Sequence, residues 1–131
     1  MNIPPASRQA VVLLAHGSRD SQWSAPIEAV AQRARAMDAQ AIVRCAYLEH
    51  TAPGLSDCVA DLCKQGCTDI HILPLFLGVG GHVRQDLPRL NDALLLAHPG
   101  LRLHWQVTVG EQAAVTQLLA ELALQSLCNK T

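Results

Sequence analysis

Two histidines and one glutamate are evenly spaced along this 131-residue chain, each at or shortly after the end of an apolar run. His16 follows "VVLLA", Glu49 follows "CAYL" and His82 follows "ILPLFLGVGG", so that successive members are 33 positions apart (16 to 49, and 49 to 82). Imidazole and carboxylate groups together suit divalent transition metals such as cobalt, nickel, iron and zinc. An imidazole can also take up or release a proton near neutral pH. The three residues therefore predict metal or proton chemistry if the fold brings them together.

Four short apolar runs, rich in Val, Ile and Leu, alternate with helical patterns along the chain. The runs AVVLLA, AIVRCAYL, DIHILPLF and LRLHWQVTV occupy residues 10–15, 41–48, 69–76 and 101–109. The first and third are nearly continuous, which is typical of parallel strands covered on both faces. The order βαβαβαβα predicts an α/β fold, a single three-layer domain with a four-stranded parallel sheet and helices on both faces. We expect this domain to span residues 10–127, with short tails at 1–9 and 128–131.

The helix boundaries can be predicted from capping signals and apolar spacing. Ser24 is expected to cap the first helix, and Asp86 the third, with Pro88 in its first turn. The fourth helix is predicted by the spacing of Leu118 and Leu122. The apolar stripe of the first helix is predicted to comprise Ile27, Val30, Ala31, Ala34 and Met37.

An open parallel sheet binds its ligands outside the carboxyl ends of its strands. His16 and Glu49 are predicted to lie at the carboxyl ends of the first two strands, and His82 after the third strand, just before a helix. A lone histidine at a strand end is more often a structural residue than a ligand, but three such residues on one edge favour a site. The other histidines are expected to be packed, surface or turn residues: His50, His71, His98 and His104.

The composition excludes several classes of protein. A formal net charge of -1 and 3% aromatic residues provide neither a basic surface nor a stacking platform for nucleic acid. No apolar run approaches the roughly 20 residues that a membrane span requires. The N-terminal segment lacks the pattern of a signal peptide, which predicts a cytoplasmic protein. The five cysteines, an odd number, are then expected to be reduced thiols.

The glycine-containing motifs do not match nucleotide sites or hydrolases. "GVGGHV" has Val83 where a dinucleotide fingerprint requires its third glycine, and "HGSRD" has no Walker lysine. The chain also has no Gly-x-Ser-x-Gly elbow, so a hydrolase triad is poorly supported. We expect the glycines instead to allow the backbone to approach a large flat ligand closely.

Three motifs in order, "LLAHGSRD", "AYLEHTAPGLSD" and "ILPLFLGVGGHVRQDLP", resemble the small class II chelatases. The resemblance is strongest to the small sirohydrochlorin chelatases, which insert cobalt on the way to cobalamin or iron on the way to sirohaem. It extends from about Val11 to Leu122. It implies a homodimer whose two clefts form a shared cavity. It also implies no permanently bound cofactor, because the divalent metal, Co²⁺, Fe²⁺ or Ni²⁺, is a substrate.

The resemblance assigns the active-site histidines to His16 and His82 and the acidic partner to Glu49. We expect the two histidines to hold the incoming metal, and any of the three to act as the base. Arg19 and Arg84 could pair with the carboxylates of sirohydrochlorin, although solvated arginines are an equally good interpretation. Further hydrogen bonds to the substrate are expected from Ser18, Gly80 and Gly81.

Two other classes of function remain open at this stage. The same fold and ligands could serve a carrier or chaperone of metal or tetrapyrrole without turnover. Alternatively, a flavodoxin-like binding or signalling module would show no change in metal affinity when His16 is replaced.

Overall fold

The computed structural model describes residues 8–128. Most of the two predicted tails lies outside this range, and the division of the chain into one domain and two tails stays a prediction. The described helices and strands, in chain order, are β1 (Gln9–Ala15), α1 (Ala25–Met37), β2 (Val43–Tyr47), α2 (Leu55–Lys64), β3 (Asp69–Pro74), α3 (Gly81–Ala97), β4 (Arg102–Trp105) and α4 (Ala113–Cys128). A single turn of 3₁₀ helix, Val109–Glu111, separates β4 from α4.

The four strands form one parallel sheet in the order β2-β1-β3-β4, which confirms the predicted α/β architecture. The first crossover runs from β1 to β2, and the second passes back over β1 to reach β3 on its other side. Right-handed crossovers in opposite directions place their helices on opposite faces of a sheet. Accordingly α1 packs on one face and α2 and α3 on the other.

The core consists of two apolar layers, one on each face of the sheet. Successive side chains of a strand point to opposite faces, so each strand contributes to both layers. Val12 and Leu14 of β1 point toward α2 and α3, together with Ile70 and Ile72 of β3, and all four are fully buried. Leu13 of β1 points the other way, toward α1. Burial of branched aliphatic side chains on both faces explains why the strands read as nearly continuous apolar runs.

The third helix begins six residues earlier than predicted, at Gly81 rather than at Leu87, the residue after Asp86. Gly80 is its N-cap residue, and the N–H of Arg84 donates to the Gly80 carbonyl at 2.9 Å. Pro88 lies inside the helix, where its missing N–H leaves the carbonyl of residue i−4 without its helical hydrogen bond. The prediction failed because it took a proline as the mark of a first turn, although a helix can continue through it.

The first helix is only partly as predicted. Ser24 occupies the N-cap position, but its side chain makes no capping hydrogen bond. Within the predicted apolar stripe only Ala31 is fully buried, whereas Val30 and Met37 are 47% and 76% exposed. Within the described part of the chain the helix packs mainly on β1 and β2, so a narrow strip of small side chains is enough to cover the contact.

The fourth helix is present as predicted, but it does not pack on the sheet. Among the described elements, the 3₁₀ turn is the only one against which α4 packs extensively. Five leucines of α4 are between 44% and 59% exposed: Leu118, Leu119, Leu122, Leu124 and Leu127. This helix therefore leaves most of its apolar surface uncovered within the single chain.

Candidate functional site

The three predicted site residues come together at one cleft at the carboxyl edge of the sheet. The cleft has a volume of about 520 Å³ and lies between the loops after β1 and β2 and the first turns of α3. Its lining residues are His16, Leu48, Glu49, His82, Val83, Asp86, Arg89 and Leu90. Three residues far apart in sequence thus face one space, as the rule for open parallel sheets predicts.

Backbone hydrogen bonds join the loops that carry His16 and Glu49. The Glu49 N–H donates to the His16 carbonyl at 3.0 Å. Two residues further along each loop, the Ser18 N–H donates to Oγ1 of Thr51, and the Thr51 hydroxyl donates to the Ser18 carbonyl, both at 2.9 Å. The main chain therefore fixes the spacing between these two site residues.

Gly17 makes this close approach possible. Its φ is +97°, and a Cβ built on it would lie 1.7 Å from the Glu49 carbonyl oxygen. Any other side chain would be strained by the backbone conformation and would also collide with the neighbouring loop. The glycine of the "HGS" motif thus acts inside the protein, where it lets two strand-end loops touch.

The His16 ring rests on Phe76, with ring centroids 4.4 Å apart and ring planes tilted by 39°. Phe76 is buried and belongs to the core layer under α2 and α3, whereas the His16 side chain is exposed. No ring nitrogen of His16 or His82 has a hydrogen-bond partner among the hydrogen bonds of residues 8–128. Both imidazoles therefore keep their nitrogens free for a ligand.

Glu49 has a titratable neighbour that the strand pattern did not predict. Oε2 of Glu49 lies 3.7 Å from Nε2 of His50, and the Glu49 side chain is 64% exposed. The prediction that His50 points to the opposite side held only if β2 continued, but β2 ends at Tyr47 and His50 has a φ of 64°. His50 is thus close to the candidate site.

His82 lies within the first turn of α3 rather than before the helix. Asp86 and Arg89 follow it at i+4 and i+7, so the three share one face of the helix and all line the cleft. Sequence reasoning missed Arg89 and treated Asp86 as a cap, because it began the helix too late. A helix started at Gly81 would have revealed this face from spacing alone.

The other predicted substrate-binding residues surround the cleft without lining it. Oγ of Ser18 accepts the Asp20 N–H at 3.1 Å and so closes a turn. Arg19 is exposed in that turn. Gly80 and Gly81 form the start of α3, with nothing within 4 Å of where a Cβ would lie.

Arg84 faces a neighbouring groove instead. Its Nη2 donates to the Val79 carbonyl at 3.1 Å, and the residue lines a groove of about 440 Å³ between α3 and β4. Trp105 and Leu87 give this groove an apolar floor. Arg84 could reach a substrate in the cleft only from its rim.

Within the described part of the chain, no three His, Cys, Asp or Glu side chains are close enough to one another to share one metal ion. Any metal held in the cleft of one chain would then have at most two protein ligands from this set. Such a site resembles neither a closed structural zinc site nor a catalytic centre with three fixed protein ligands.

A second group of histidine and carboxylate side chains lies at the opposite, amino edge of the sheet. Asp69, the first residue of β3, receives two hydrogen bonds from Arg102, at 2.7 and 2.8 Å. It also lies 2.9 Å from Nε2 of His104, whose ring stacks on His71 with centroids 4.5 Å apart. The Arg102 and His104 hydrogen bonds hold the pKa of Asp69 well below its usual range. We call these four residues the amino-edge cluster.

The family of this chain follows from comparison with known proteins. A family model described as CbiX matches residues 10–126, nearly the whole chain. The chain therefore belongs to the CbiX family.

No described helix is both long and apolar enough to cross a membrane.

Several curated relatives are sirohydrochlorin cobaltochelatases. The chain is 25% identical over 120 residues to the sirohydrochlorin cobaltochelatase of Saccharolobus solfataricus, which covers 88% of this chain and 90% of that protein. It is 30% identical over 82 residues to the sirohydrochlorin cobaltochelatase of Methanocaldococcus jannaschii. That second match covers 63% of this chain but only 57% of the archaeal protein.

Solved structures show the same fold. A CbiX protein assigned to cobalamin biosynthesis in Marinobacter aquaeolei VT8 matches 94% of this chain and all of its own, with a TM-score of 0.83 and 26% identity. The sirohydrochlorin chelatase SirB of Bacillus subtilis subspecies spizizenii, solved in complex with cobalt, has a TM-score of 0.76 at 22% identity. The match covers 90% of this chain and half of the SirB chain, so it shows a shared fold.

Proposed function

We propose that this protein is a sirohydrochlorin chelatase, which inserts a divalent metal into the macrocycle with release of two protons. Co²⁺ is the favoured substrate metal, because the curated relatives are cobaltochelatases. Fe²⁺ and Ni²⁺ are the alternatives. The observation that carries the proposal is that His16, Glu49 and His82 line one cleft in a chain of the CbiX family.

The proposed role of His16 and His82 is to hold the incoming ion through neutral imidazole nitrogens. A site of few ligands suits a metal that must leave for the macrocycle, since tight structural sites use four. Phe76 supports the His16 ring from the core side and leaves its nitrogens free. The metal thus approaches the macrocycle from a fixed direction, which lowers the entropic part of the barrier.

Glu49 is proposed to supply a path for the pyrrole protons. It would act as a further metal ligand only if the cleft closed around the ion, because no three such side chains of the described residues are close enough to share one metal. His50, 3.7 Å away, provides a second group to which a proton could pass on its way to solvent. Both side chains reach the surface, so protons released at the cleft need not cross the core.

The macrocycle is proposed to lie against Leu48, Val83 and Leu90, the apolar part of the cleft wall. Arg89 lies in the same wall and could pair with a carboxylate of sirohydrochlorin. Contacts from Ser18, Arg19, Gly80, Gly81 and Arg84 stay predictions, and each would need a substrate that extends beyond the cleft of one chain.

A homodimer belongs to the same proposal. The cleft is open in a single chain, and a second copy would enclose a flat macrocycle better. The cytoplasmic location also stays an expectation, and the reduced state expected of cysteines there agrees with four that are unpaired in the described residues: Cys45, Cys58, Cys63 and Cys67.

The test is an anaerobic insertion assay with sirohydrochlorin and Co²⁺, Ni²⁺ or Fe²⁺, followed by the visible spectrum. We expect the protein to accelerate insertion and His82→Ala to lose about a hundredfold or more of that rate. His98→Ala is the matched control, because it removes an imidazole at the far end of the same helix and should leave the rate unchanged.

The main alternative is a carrier or chaperone for metal or tetrapyrrole. It predicts that both ligands bind but that insertion proceeds no faster than in the protein-free control. That result would overturn the catalytic proposal and leave the binding site in place. Loss of Co²⁺ binding in His16→Ala would in turn exclude a module that does not use metal.

A further inference from the structure

The cleft has two walls, and each of them carries one imidazole and one carboxylate. His16 and Glu49 lie on the wall formed by the loops after β1 and β2, and His82 and Asp86 lie on the wall formed by α3. Of the residues that line the cleft, only Glu49 and Asp86 have a carboxylate. The proposed insertion reaction engages the first three of these four residues and leaves Asp86 unused.

Asp86 follows His82 by four positions, and both lie within α3, which begins at Gly81. Side chains at i and i+4 of a helix lie one above the other on the same face, with their Cβ atoms roughly 5–6 Å apart. Two ligands at this spacing can bind the same metal ion, as the paired histidines of the His-Glu-x-x-His motif do. Imidazole and carboxylate both bind divalent transition metals. His82 and Asp86 are therefore spaced as a two-ligand metal site.

The carboxylate of Asp86 is available to a ligand. Its side chain is exposed, and none of the ion pairs or side-chain hydrogen bonds among residues 8–128 involves it. Arg89, which follows it by three positions, does not form an ion pair with it. Asp86 does not cap the helix either, because the N-cap residue is Gly80. Neither a cap nor an ion pair thus explains an aspartate at this position of the cleft.

The charge of the α3 wall favours a carboxylate in any cation site there. The first turn of a helix lies at the positive end of its dipole, and the first turn of α3 contains no acidic residue. Residues 81–91 include two cationic side chains, Arg84 and Arg89, and Asp86 has the only carboxylate. A divalent ion bound to His82 through a neutral imidazole would meet these positive charges without compensation. Asp86, one turn away, offsets them.

The two walls do not hold one ion jointly in the single chain. Among residues 8–128, no three His, Cys, Asp or Glu side chains are close enough to share a metal. In this geometry His16 can take the place of Asp86 beside the ion but cannot join it. The arrangement favours a division of labour, in which the α3 wall takes up the metal. The other wall, where Glu49 lies 3.7 Å from His50, then takes the protons.

We propose that His82 and Asp86 form the site at which the protein takes up Co²⁺ from solution, and that Asp86 is a metal ligand in this step only. As the ion moves into the cleft, His16 replaces Asp86, and the macrocycle nitrogens then replace both imidazoles. The Asp86 carboxylate is released unchanged, and the two pyrrole protons leave by way of Glu49. The inference rests on the proposed function for the identity of the metal, whereas uptake itself is measured without a macrocycle.

The first test measures the binding of Co²⁺ alone to the full chain by calorimetry at neutral pH. Asp86→Asn keeps the size of the side chain and removes its charge. It should weaken Co²⁺ binding about tenfold or more, because even the loss of a group that only supports a metal ligand costs roughly 10–100-fold. The matched control is Asp92→Asn, which removes the same charge about 9 Å further along α3, outside the cleft, and should leave the affinity unchanged.

A third variant, Asp86→His, distinguishes a metal ligand from a charge that acts at a distance. It places a second imidazole four positions after His82, the spacing of paired histidines on a metal-binding helix. Although this variant lacks the negative charge, it should bind Co²⁺ at least as tightly as the wild type. The visible absorption spectrum of the bound Co²⁺ should change in Asp86→His and stay the same in Asp92→Asn. If Asp86→His binds Co²⁺ no better than Asp86→Asn, Asp86 is not a ligand.

The insertion assay separates this inference from the proposed function. Asp86→Asn should raise the KM for Co²⁺ about tenfold and leave the KM for sirohydrochlorin nearly unchanged. Equal Co²⁺ affinities of the wild type and Asp86→Asn, or no Co²⁺ binding by the wild type, would overturn the uptake site whatever the rate of insertion. Weaker binding by Asp86→Asn in a protein that does not accelerate insertion would overturn the chelatase proposal and leave the uptake site in place. Circular dichroism spectra check that the three variants are folded, as we expect for substitutions at exposed positions.

Discussion

The two edges of the sheet carry similar side chains, which are exposed at the carboxyl edge and hydrogen-bonded to one another at the amino edge. At the carboxyl edge, the imidazoles of His16 and His82 are exposed, and Glu49 has only a distant contact with His50. At the amino edge, Asp69 is 10% exposed and accepts hydrogen bonds from Arg102, His104 and Thr68. His71 and His104 are occupied there by stacking and hydrogen bonding.

The difference teaches how to separate a candidate site from a structural cluster when residue types alone do not. The amino-edge cluster joins the first residues of β3 and β4, and its groups satisfy one another, so a ligand would have to displace an existing partner. His16 and Glu49 are positioned by backbone contacts and His16 also by Phe76, whereas the imidazoles of His16 and His82 have no hydrogen-bond partner within residues 8–128. Imidazole nitrogens that are free to bind a ligand, rather than the mere presence of histidine, are what distinguishes the candidate site.

Replacing the carboxylate of each edge by its amide, Glu49→Gln or Asp69→Asn, gives the sharpest test of this contrast. Glu49→Gln should lower the rate of metal insertion about a hundredfold and leave the thermal midpoint nearly unchanged, because the side chain is largely exposed. Asp69→Asn should lower the thermal midpoint and leave the rate of insertion nearly unchanged, since it leaves the Arg102 guanidinium without its carboxylate. Insertion kinetics and thermal melts of both variants provide the measurements. A slower Asp69→Asn enzyme with normal stability would contradict the division of roles.

Gly17 is the residue whose backbone conformation allows the two loops of the cleft to approach each other. Gly17→Ala should lower the free energy of unfolding by at least about 2 kcal/mol, because a positive φ and a collision with the Glu49 carbonyl act together. Denaturant titration measures the loss. Gly81→Ala is the control. It adds the same methyl group where nothing lies within 4 Å, and it should change stability by no more than about 0.5 kcal/mol.

The two arginines of α3 distinguish the cleft from the neighbouring groove. Arg89→Ala should raise the KM for sirohydrochlorin about tenfold, because Arg89 lines the cleft and a charge-assisted hydrogen bond contributes roughly 1.5–3 kcal/mol. Arg84→Ala should change KM less, since Arg84 lines the groove between α3 and β4. Steady-state kinetics of the two variants decide the matter. An equal or larger effect at Arg84 would extend the substrate site to the groove.

The smallest expected effect is a dependence of stability on pH. The pKa of Asp69 is lowered in the folded protein by the Arg102 and His104 hydrogen bonds. Its stabilising contribution is therefore complete above the unfolded value of about 4, and is lost as the pH falls toward the folded value. Thermal midpoints of the wild type and Asp69→Asn should converge below pH 4. A constant difference down to pH 2 would mean that another interaction causes it.

The sequence was sufficient to predict the sheet and to place three candidate site residues at the same edge of it. Apolar runs, helical spacing and the carboxyl-edge rule together placed His16, Glu49 and His82 on one edge, and the structure brings them to one cleft. These inferences depend on chain connectivity and local pattern, which a single sequence carries.

The predictions that failed concern the start of α3, the direction of His50 and the position of α4. The proline at 88 hid the true start of α3, and with it Arg89 and the role of Asp86 in the cleft. The conformation of His50 could not be read from strand alternation once β2 had ended. The position of α4 could not be predicted either, because its spacing specifies a helix and says nothing about which surface covers it.

Gly17 and the hydrogen bonds beside it give the cleft one wall whose dimensions the main chain sets. The opposite wall, on α3, begins at glycines with open space around them and is shaped by side chains at 82, 86 and 89. Divergence among chelatases of this type is thus expected to be uneven. We expect the wall formed by His16 and Glu49 to tolerate few substitutions, and a shift in the preferred metal to arise through changes along α3.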